Sequence, residues 1–271
     1  MIEVRNLVKK YGNHLAVDHL SFSVEQGQIY GFLGPNGAGK STTMNIMTGY
    51  LGATEGEVIM NGHDILKEPE LAKRSIGYLP EIPPLYLDMT VAEYLVFAAE
   101  LKKIHKKEIK EAVEEVIRLA RLEDVEQRLI KNLSKGYKQR VGLAQAMLGF
   151  PEIIILDEPT VGLDPKQIIE IRELIRELGK NHTVILSSHI LAEVQEVCDH
   201  IMIISKGKLV ANLNMNEVEV SLEDVFLELT EESASSKEET AEKDIFEEED
   251  CEEESLDEKD GEEAAEDESD I

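Results

Sequence analysis

The sequence predicts an α/β fold, because fully apolar strands alternate with segments of helical periodicity along much of the chain. Three short apolar runs are predicted as buried strands: Ile29–Leu33, Ile153–Leu156 and Thr183–Ser187. Strands covered on both faces have such continuous apolar sequences, whereas half-exposed strands alternate apolar and polar residues. A segment with helical spacing follows each of these strands, as expected for a mostly parallel sheet with helices packed against it.

The N-terminal segment has the pattern of half-exposed strands. Residues 2–33 largely alternate apolar and polar side chains, and Gly12 and Gly27 interrupt the alternation as turn residues. A period of two predicts a small antiparallel β-layer here, ahead of the parallel sheet. Further short strands are predicted at residues 55–62 and 76–81.

The periodicity changes to that of helices after two consecutive prolines at positions 83 and 84. Apolar residues between positions 95 and 120 keep helical spacing, so residues 85–150 are predicted to form a helical subdomain inserted into the α/β domain. Five lysines lie on or between its helices: Lys102, Lys103, Lys106, Lys107 and Lys110. We interpret them as a solvated face, and contact with acidic phospholipid headgroups is the alternative.

The C-terminal segment differs in composition from the rest of the chain. Residues 231–271 contain 22 Asp and Glu and 3 Lys, and they carry a net charge of −19 out of the chain's −28. Apolar residues are too sparse there to offset the entropy of ordering, so disorder is predicted. We interpret this segment as a solubilising tail, with docking onto a basic partner as the alternative. The α/β domain is therefore predicted to span residues 1–230, with a last short helix from Leu222 to Leu229.

Charge and cysteine content narrow the class of protein. An acidic balance argues against a nucleic-acid partner, whose phosphates must be neutralised by Lys and Arg. Cys198 and Cys251 fit neither a metal cluster nor a disulfide framework, which is typical of a reducing cytosol. The N-terminus has no signal-peptide pattern, and no apolar run approaches the ~18 residues that span a bilayer. Any membrane role is expected to depend on another chain.

The stretch Gly34–Thr42 matches the phosphate-binding pattern G-x-x-x-x-G-K-[ST] at every fixed position, between a predicted strand and a predicted helix. Its glycines allow the backbone to approach a ligand closely, and its N–H groups face an anion together with the helix N-terminus. Lys40 would reach the β- and γ-phosphates, and the Ser41 hydroxyl would ligate magnesium. The alternative is a glycine-rich turn that matches by chance, which the strand and helix around it disfavour.

Two adjacent carboxylates, Asp157 and Glu158, follow the strand Ile153–Leu156 at the end where open α/β sheets bind their ligands. Such a pair is costly unless a cation or a reaction needs it. We expect Asp157 to hold magnesium and Glu158 to polarise the attacking water, with a solvated strand end as the alternative. His189 follows another strand, where it could donate to a terminal phosphate, although a lone histidine is more often structural.

These motifs occur in the order and at the spacing typical of one family, and over residues 1 to about 230 the chain resembles the nucleotide-binding subunit of an ATP-binding cassette (ABC) transporter. Gly34–Thr42 match the Walker A loop, Leu133–Tyr137 the signature motif, Ile153–Glu158 Walker B, Val161–Asp164 the D-loop and His189 the switch histidine. Tyr11 falls where the family stacks an aromatic ring on adenine. From the sequence alone, a surface tyrosine beside a turn is an equal alternative.

Two departures from the family pattern concern the site. The signature motif has Lys135 in place of its first glycine and Tyr137 in place of glutamine, while Ser134 and Gly136 remain. Glu81 stands where the family usually has the glutamine of the Q-loop. A carboxylate can still ligate magnesium, but it adds negative charge near the phosphates. Both variants resemble the branch whose ATPase pairs with a separate permease and usually exports.

The resemblance implies a P-loop ATPase that binds ATP and Mg2+ and works as a head-to-tail dimer, with a second copy or a paralogous ATPase. It implies Glu158 and His189 as catalytic residues and Ser41, Glu81 and Asp157 as magnesium ligands. The implied nucleotide-binding residues are Tyr11, Gly34, Pro35, Asn36, Gly37, Ala38, Gly39, Lys40, Ser41, Thr42, Ser134, Gly136 and Asp164. The subunit would be cytoplasmic and held at the inner face of the membrane by an integral-membrane permease.

Two other functions remain open from the sequence. A soluble ABC-type ATPase could act with a cytosolic partner such as an iron–sulfur assembly complex, and chain length does not exclude it. A non-catalytic regulator that docks through the acidic tail is the other. The intact Lys40, Asp157, Glu158 and His189 argue against it.

Overall fold

The computed structural model describes residues 1–217, together with residues 222, 223 and 226. Most of the predicted last helix and all of the acidic tail lie outside the described residues. The strands in chain order are β1 Ile2–Tyr11, β2 His14–Val24, β3 Ile29–Leu33, β4 Glu55–Met60, β5 His63–Asp64, β6 Ile76–Leu79, β7 Ile153–Leu156, β8 Thr183–Ser188, β9 His200–Ser205 and β10 Lys208–Asn214. The α-helices are α1 Lys40–Met47, α2 Pro69–Arg74, α3 Val91–Leu101, α4 Ile109–Leu119, α5 Lys135–Met147, α6 Pro165–Gly179 and α7 Leu191–Val197.

The described strands form two sheets, and the predicted α/β fold is confirmed. One sheet has the order β2-β1-β4-β5 and is antiparallel, as the N-terminal alternation predicts. The other has the order β10-β9-β3-β8-β7-β6 and is parallel except for its edge strand β10. In it β3 lies between β9 and β8, with β7 next to β8, so strands far apart in sequence become neighbours.

Two apolar cores cover the two faces of the parallel sheet. Ile153 and Ile155 of β7 face the core shared with α1 and the antiparallel sheet. Ile154 and Leu156 face the core shared with the helices α3 to α7. Successive side chains of a strand point to opposite faces, which explains why this short strand is apolar at every position.

The helical subdomain is built from α3, α4 and α5, as the periodicity of residues 85–150 predicts. At the start of α3, Thr90 and Glu93 form a capping box, in which each side chain accepts a hydrogen bond from the other's backbone N–H. At the start of α5, Ser134 Oγ accepts a hydrogen bond from the N–H of Tyr137. Pairings such as that of the Tyr94 hydroxyl with Gln145 Oε1, 2.6 Å away, hold α3 against α5.

Candidate functional site

The loop between β3 and α1 has the backbone geometry that its glycines permit. Gly37 and Gly39 have φ angles of 82° and 103°, which L side chains rarely adopt. A Cβ on Gly39 would also lie 2.5 Å from the carbonyl oxygen of Ala16. Lys40 is buried, and its ammonium group donates hydrogen bonds to the carbonyls of Gly34 at 2.8 Å and Pro35 at 3.3 Å. The lysine therefore lies folded over the loop that it follows.

Asp157 connects this loop with the ends of two parallel strands. Its Oδ1 accepts hydrogen bonds from Ser41 Oγ at 3.1 Å and from Ser187 Oγ at 2.6 Å. Burial raises the pKa of this carboxyl, and the neighbouring charge of Glu158 raises it further, although the two hydroxyl donors and Lys40 oppose the shift. Ionisation of this carboxyl is thus less favourable in the free protein than in water. A cation beside the carboxylate would reverse that preference.

Glu158 occupies the next position and makes contacts on three sides. Its φ angle of 47° places a non-glycine residue in the left-handed region, and its N–H donates to Ser187 Oγ at 2.8 Å. One carboxylate oxygen lies 3.3 Å from Lys40 Nζ, and the other lies 3.0 Å from His189 Nδ1. Backbone strain of this kind persists only where the surroundings fix it, and it is frequent in active sites.

A cavity of about 350 Å3 opens above these groups. Its lining includes ten of the residues named from the sequence: Tyr11, Asn36, Gly37, Gly39, Lys40, Ser41, Thr42, Glu81, Glu158 and His189. Tyr11 is 49% exposed, with the ammonium of Lys9 located 5.3 Å from the centre of its ring. The lining thus combines N–H, ammonium and hydroxyl donors with an aromatic ring, which suits a phosphate group joined to a flat base.

Sequence reasoning missed His14 and Ala16 of the lining, and it named Val161 only as part of the D-loop match, without a role at the site. His14 and Ala16 lie on β2, directly after the turn that follows Tyr11. Val161 lies in the loop after Glu158. The register of β1 against β2 pairs Tyr11 with His14, so the position of Tyr11 was the signal that could have indicated His14.

Six of the residues expected to bind nucleotide do not line this cavity. Gly34, Pro35 and Ala38 belong to the phosphate loop itself, whereas Ser134, Gly136 and Asp164 lie elsewhere. Ser134 and Asp164 cap the N-termini of α5 and α6, where each side chain accepts a hydrogen bond from a backbone N–H. Gly136 packs so closely on Gln167 of α6 that a Cβ would lie 2.5 Å from its side chain. Ser134, Gly136 and Asp164 thus form a second group, at the neighbouring N-termini of α5 and α6.

The lysine run of the helical subdomain is not uniformly solvated. Lys102 Nζ donates hydrogen bonds to the carbonyls of Ala146 at 3.1 Å and Leu148 at 2.7 Å, at the C-terminal end of α5. Burial lowers its pKa to about 8. Lys103 and Lys110 pair with glutamates on the surface, as a solvated face predicts.

The described residues contain no group of three or more His, Cys, Asp or Glu side chains arranged to hold a metal ion. The donor set at Ser41 and Asp157 is nevertheless a hydroxyl and a carboxylate whose oxygens lie 3.1 Å apart, the hard-oxygen chemistry that Mg2+ prefers. No helix among the residues described is long and apolar enough to cross a membrane.

Comparison with known sequences gives a single consistent result. The family model described as "ABC transporter" matches residues 17–161. The bacitracin transport ATP-binding protein BcrA of Bacillus licheniformis is 43% identical over 215 residues, which cover 79% of this chain and 69% of that protein. The lantibiotic transport ATP-binding protein SrtF of Streptococcus pyogenes is 34% identical, with 83% of this chain and 96% of that protein covered.

Solved structures agree with the sequence comparison. An ATP-binding subunit of an ABC transporter superposes with a TM-score of 0.76 at 32% identity, over 84% of this chain and 99% of that one. The dimeric ATP-binding cassette MJ0796, in a post-hydrolysis state with ADP and Pi, superposes with a TM-score of 0.72 at 25% identity, over 79% of this chain and 99% of that one. The two sheets and the helical subdomain described above are therefore those of a known cassette fold.

Proposed function

Because the chain belongs to the ABC transporter family, as an ATP-binding subunit that hydrolyses ATP to drive transport, we propose that it powers export through a separate integral-membrane permease. Export is favoured by the relatives named for bacitracin and lantibiotic transport. The observation that carries the proposal is the constellation of Lys40, Glu158 and His189 at one cavity, with Asp157 bonded to Ser41 of its lining.

We assign a role to each group at the cavity. The loop Gly34–Thr42 and the N-terminus of α1 bind the phosphates, and Lys40 turns from its carbonyl partners toward them. Glu158 holds and deprotonates the attacking water, because its carboxylate lies between Lys40 and His189. His189 orients the terminal phosphate. Tyr11 packs on the adenine.

Magnesium fits the oxygens of Ser41 and Asp157, and Glu81 lies at the cavity wall as a further oxygen donor. The bound ion would neutralise charge that develops on the phosphates. The raised pKa of Asp157 supports this assignment, since a buried carboxylate with only hydroxyl donors gains most from a cation.

The second group of residues is explained by a head-to-tail dimer. Ser134 and Gly136 at the start of α5, and Asp164 at the start of α6, lie outside their own chain's cavity and would complete the cavity of a second copy or a paralogue. The dimeric cassette that superposes on this chain supports such an arrangement. ATP would then close the dimer, and hydrolysis would open it.

The permease would contact the surface that follows Glu81. Ile82 is 82% exposed, and Tyr86 and Leu87 are about half exposed, although all three are large apolar residues. Tyr86 packs against Tyr94 and Phe97 of α3, so a partner seated here would touch the helical subdomain directly. This contact would hold the subunit at the inner face of the membrane.

We assign the α/β domain to residues 1–230 and an acidic tail to 231–271.

Specific ATPase activity measured over a range of protein concentrations tests the shared site. We expect activity per molecule to rise with concentration as the dimer becomes populated. Constant activity in a strictly monomeric sample would overturn the shared site.

Purification of the tagged full chain from detergent-extracted membranes tests the permease. Recovery only with a cytosolic partner would favour the iron–sulfur type of ATPase instead. The variant Tyr86→Asp should lose the membrane partner and keep basal hydrolysis.

A further inference from the structure

A buried carboxylate outside the cavity is bonded to both segments that present the catalytic pair. Glu193 lies on α7 with only 5% of its surface exposed. Its Oε2 accepts two hydrogen bonds, from Thr160 Oγ1 at 2.7 Å and from Ser188 Oγ at 3.0 Å. Its Oε1 lies 3.5 Å from Arg172 Nη2 on α6. Glu193 is absent from the residues that line the cavity.

The two hydroxyl groups belong to residues placed close to the catalytic pair. Thr160 is two positions after Glu158, whose backbone is in the left-handed region, and Ser188 directly precedes His189. Ser188 Oγ also accepts a hydrogen bond from the N–H of Ile190, so it holds both sides of His189. One carboxylate oxygen thereby fixes the two segments whose side chains meet at 3.0 Å.

A charge at this depth is not explained by stability alone. Burying a carboxylate is costly, and well-packed apolar residues often serve a core as well as a buried ion pair. The partner arginine adds to this cost, because Arg172 Nε is a buried donor with no acceptor among the described residues. Arg172 pairs in addition with Glu196, at the surface of α7. The network thus links α7 to α6, which begins next to the partner-facing Asp164.

We propose that Glu193 is a positioning residue for ATP hydrolysis, which sets the distance and orientation between Glu158 and His189 through Thr160 and Ser188. This inference rests on the roles proposed above for Glu158 and His189. It predicts a specific kinetic signature, because Glu193 touches neither the phosphate loop nor the wall of the cavity.

The test is the full-length Glu193→Gln variant, assayed with MgATP. Its amide keeps the size of the side chain, but it has only one acceptor oxygen and places a donor where Arg172 needs an acceptor. We expect kcat to fall by on the order of 10- to 100-fold, the range seen when outer-shell groups that orient a functional side chain are lost. KM and the affinity for MgATP should change less than about twofold, because binding contacts are untouched.

Glu196→Gln is the matched control, since it removes an equal charge from the same helix and the same Arg172 without touching Thr160 or Ser188. It should leave kcat unchanged. Thr160→Val removes one hydrogen bond to Glu193, and Ser188→Ala removes the other together with the bond from the N–H of Ile190. These two variants keep the test valid if Glu193→Gln does not fold. In a His189→Ala background, Glu193→Gln should cause little further loss, because its effect on that side chain is already gone.

Two outcomes would overturn the inference while the proposed function stands. In the first, Glu193→Gln, Ser188→Ala and Thr160→Val all have the same kcat as the control Glu196→Gln, and Glu158→Gln is inactive. The other is a loss of the same size in the His189→Ala background, which would indicate general destabilisation. If Glu158→Gln itself hydrolyses ATP at the normal rate, the base assignment and this inference fail together.

Discussion

His189 Nδ1 and Glu158 Oε2 lie 3.0 Å apart although 31 positions separate the two residues in the chain. They meet because β7 and β8 are neighbouring parallel strands, and each residue follows the end of its strand. The other oxygen of Glu158 lies 3.3 Å from Lys40 Nζ. One carboxylate thus joins the phosphate loop to two strand ends.

Replacing Glu158 by glutamine should separate nucleotide binding from hydrolysis. Glu158→Gln keeps the shape of the side chain but cannot accept a proton, so we expect turnover to fall by about 10²- to 10⁴-fold. MgATP should still bind and should favour the dimer, which size-exclusion chromatography would show. Glu152→Gln, just before the start of β7, is the control and should be fully active. Normal turnover in Glu158→Gln would remove this residue as the base.

Replacing Asp157 by asparagine should stabilise the free protein and weaken its response to MgATP. Burial holds the pKa of Asp157 above its unfolded value, so its ionisation opposes folding at neutral pH. Asp157→Asn removes that cost while its amide oxygen can still accept from Ser41 and Ser187. Each kcal/mol gained would raise the unfolding midpoint by about 2–4 °C in a domain of this size.

The same variant has a defined pH dependence. Because the pKa of Asp157 is higher in the folded than in the unfolded state, the wild type loses stability as the pH rises through the folded pKa. The variant does not titrate at this position, so its gain in stability over the wild type should be largest at neutral pH. It should disappear at acid pH, where both states of the wild type are protonated. The added stabilisation by MgATP should be smaller in the variant. Equal increments in both proteins would argue against magnesium at Asp157.

A large cation at Ser134 should block the shared site without blocking the chain's own cavity. Ser134→Arg adds bulk and charge at the start of α5, outside the cavity of its own chain. We expect ATPase activity to fall to background while a fluorescent ATP analogue still binds. Ser134→Ala is the control, because it loses the cap at a cost of about 1 kcal/mol but adds no bulk. Loss of nucleotide binding in Ser134→Arg would contradict the two-chain site.

The close packing of β6 against α5 predicts a strong effect on stability. A Cβ on Gly77 would lie 2.2 Å from the carbonyl oxygen of Ala146, a contact that only a backbone shift can relieve. Gly77→Ala should lower the free energy of unfolding by about 1–3 kcal/mol in urea titrations. Gly52→Ala is the control, since a Cβ there meets no atom within 4 Å. A difference of less than a few tenths between the two variants would contradict the packing.

The sequence predicts most of the regular elements, because the spacing of apolar residues along each strand or helix indicates which of its faces are buried. The strand Ile153–Leu156 is apolar at every position since it faces two cores, and the alternation near the N-terminus reflects a sheet with one covered face. The helix α2, Pro69–Arg74, was not predicted. It is only six residues long, which is too short to establish a helical period.

Some residues of the candidate site could be predicted from local sequence patterns, and others could not. Lys40, Ser41, Asp157 and Glu158 could be predicted because each follows a recognisable strand or loop. Glu193 could not, since a glutamate on a seven-residue helix has no local signal, and its importance depends on Thr160 and Ser188 from distant segments. Lys102 was interpreted as solvated because the sequence does not reveal that the end of α5 lies beside it.

The hydrogen bonds from Lys102 to the end of α5 have a mechanical consequence. With the hydrogen bond between Tyr94 and Gln145, they attach the first turn of α3 and the residue after its end to the C-terminal turn of α5. A displacement of α3 would therefore be transmitted to α5, and the residue that caps the other end of α5 is Ser134.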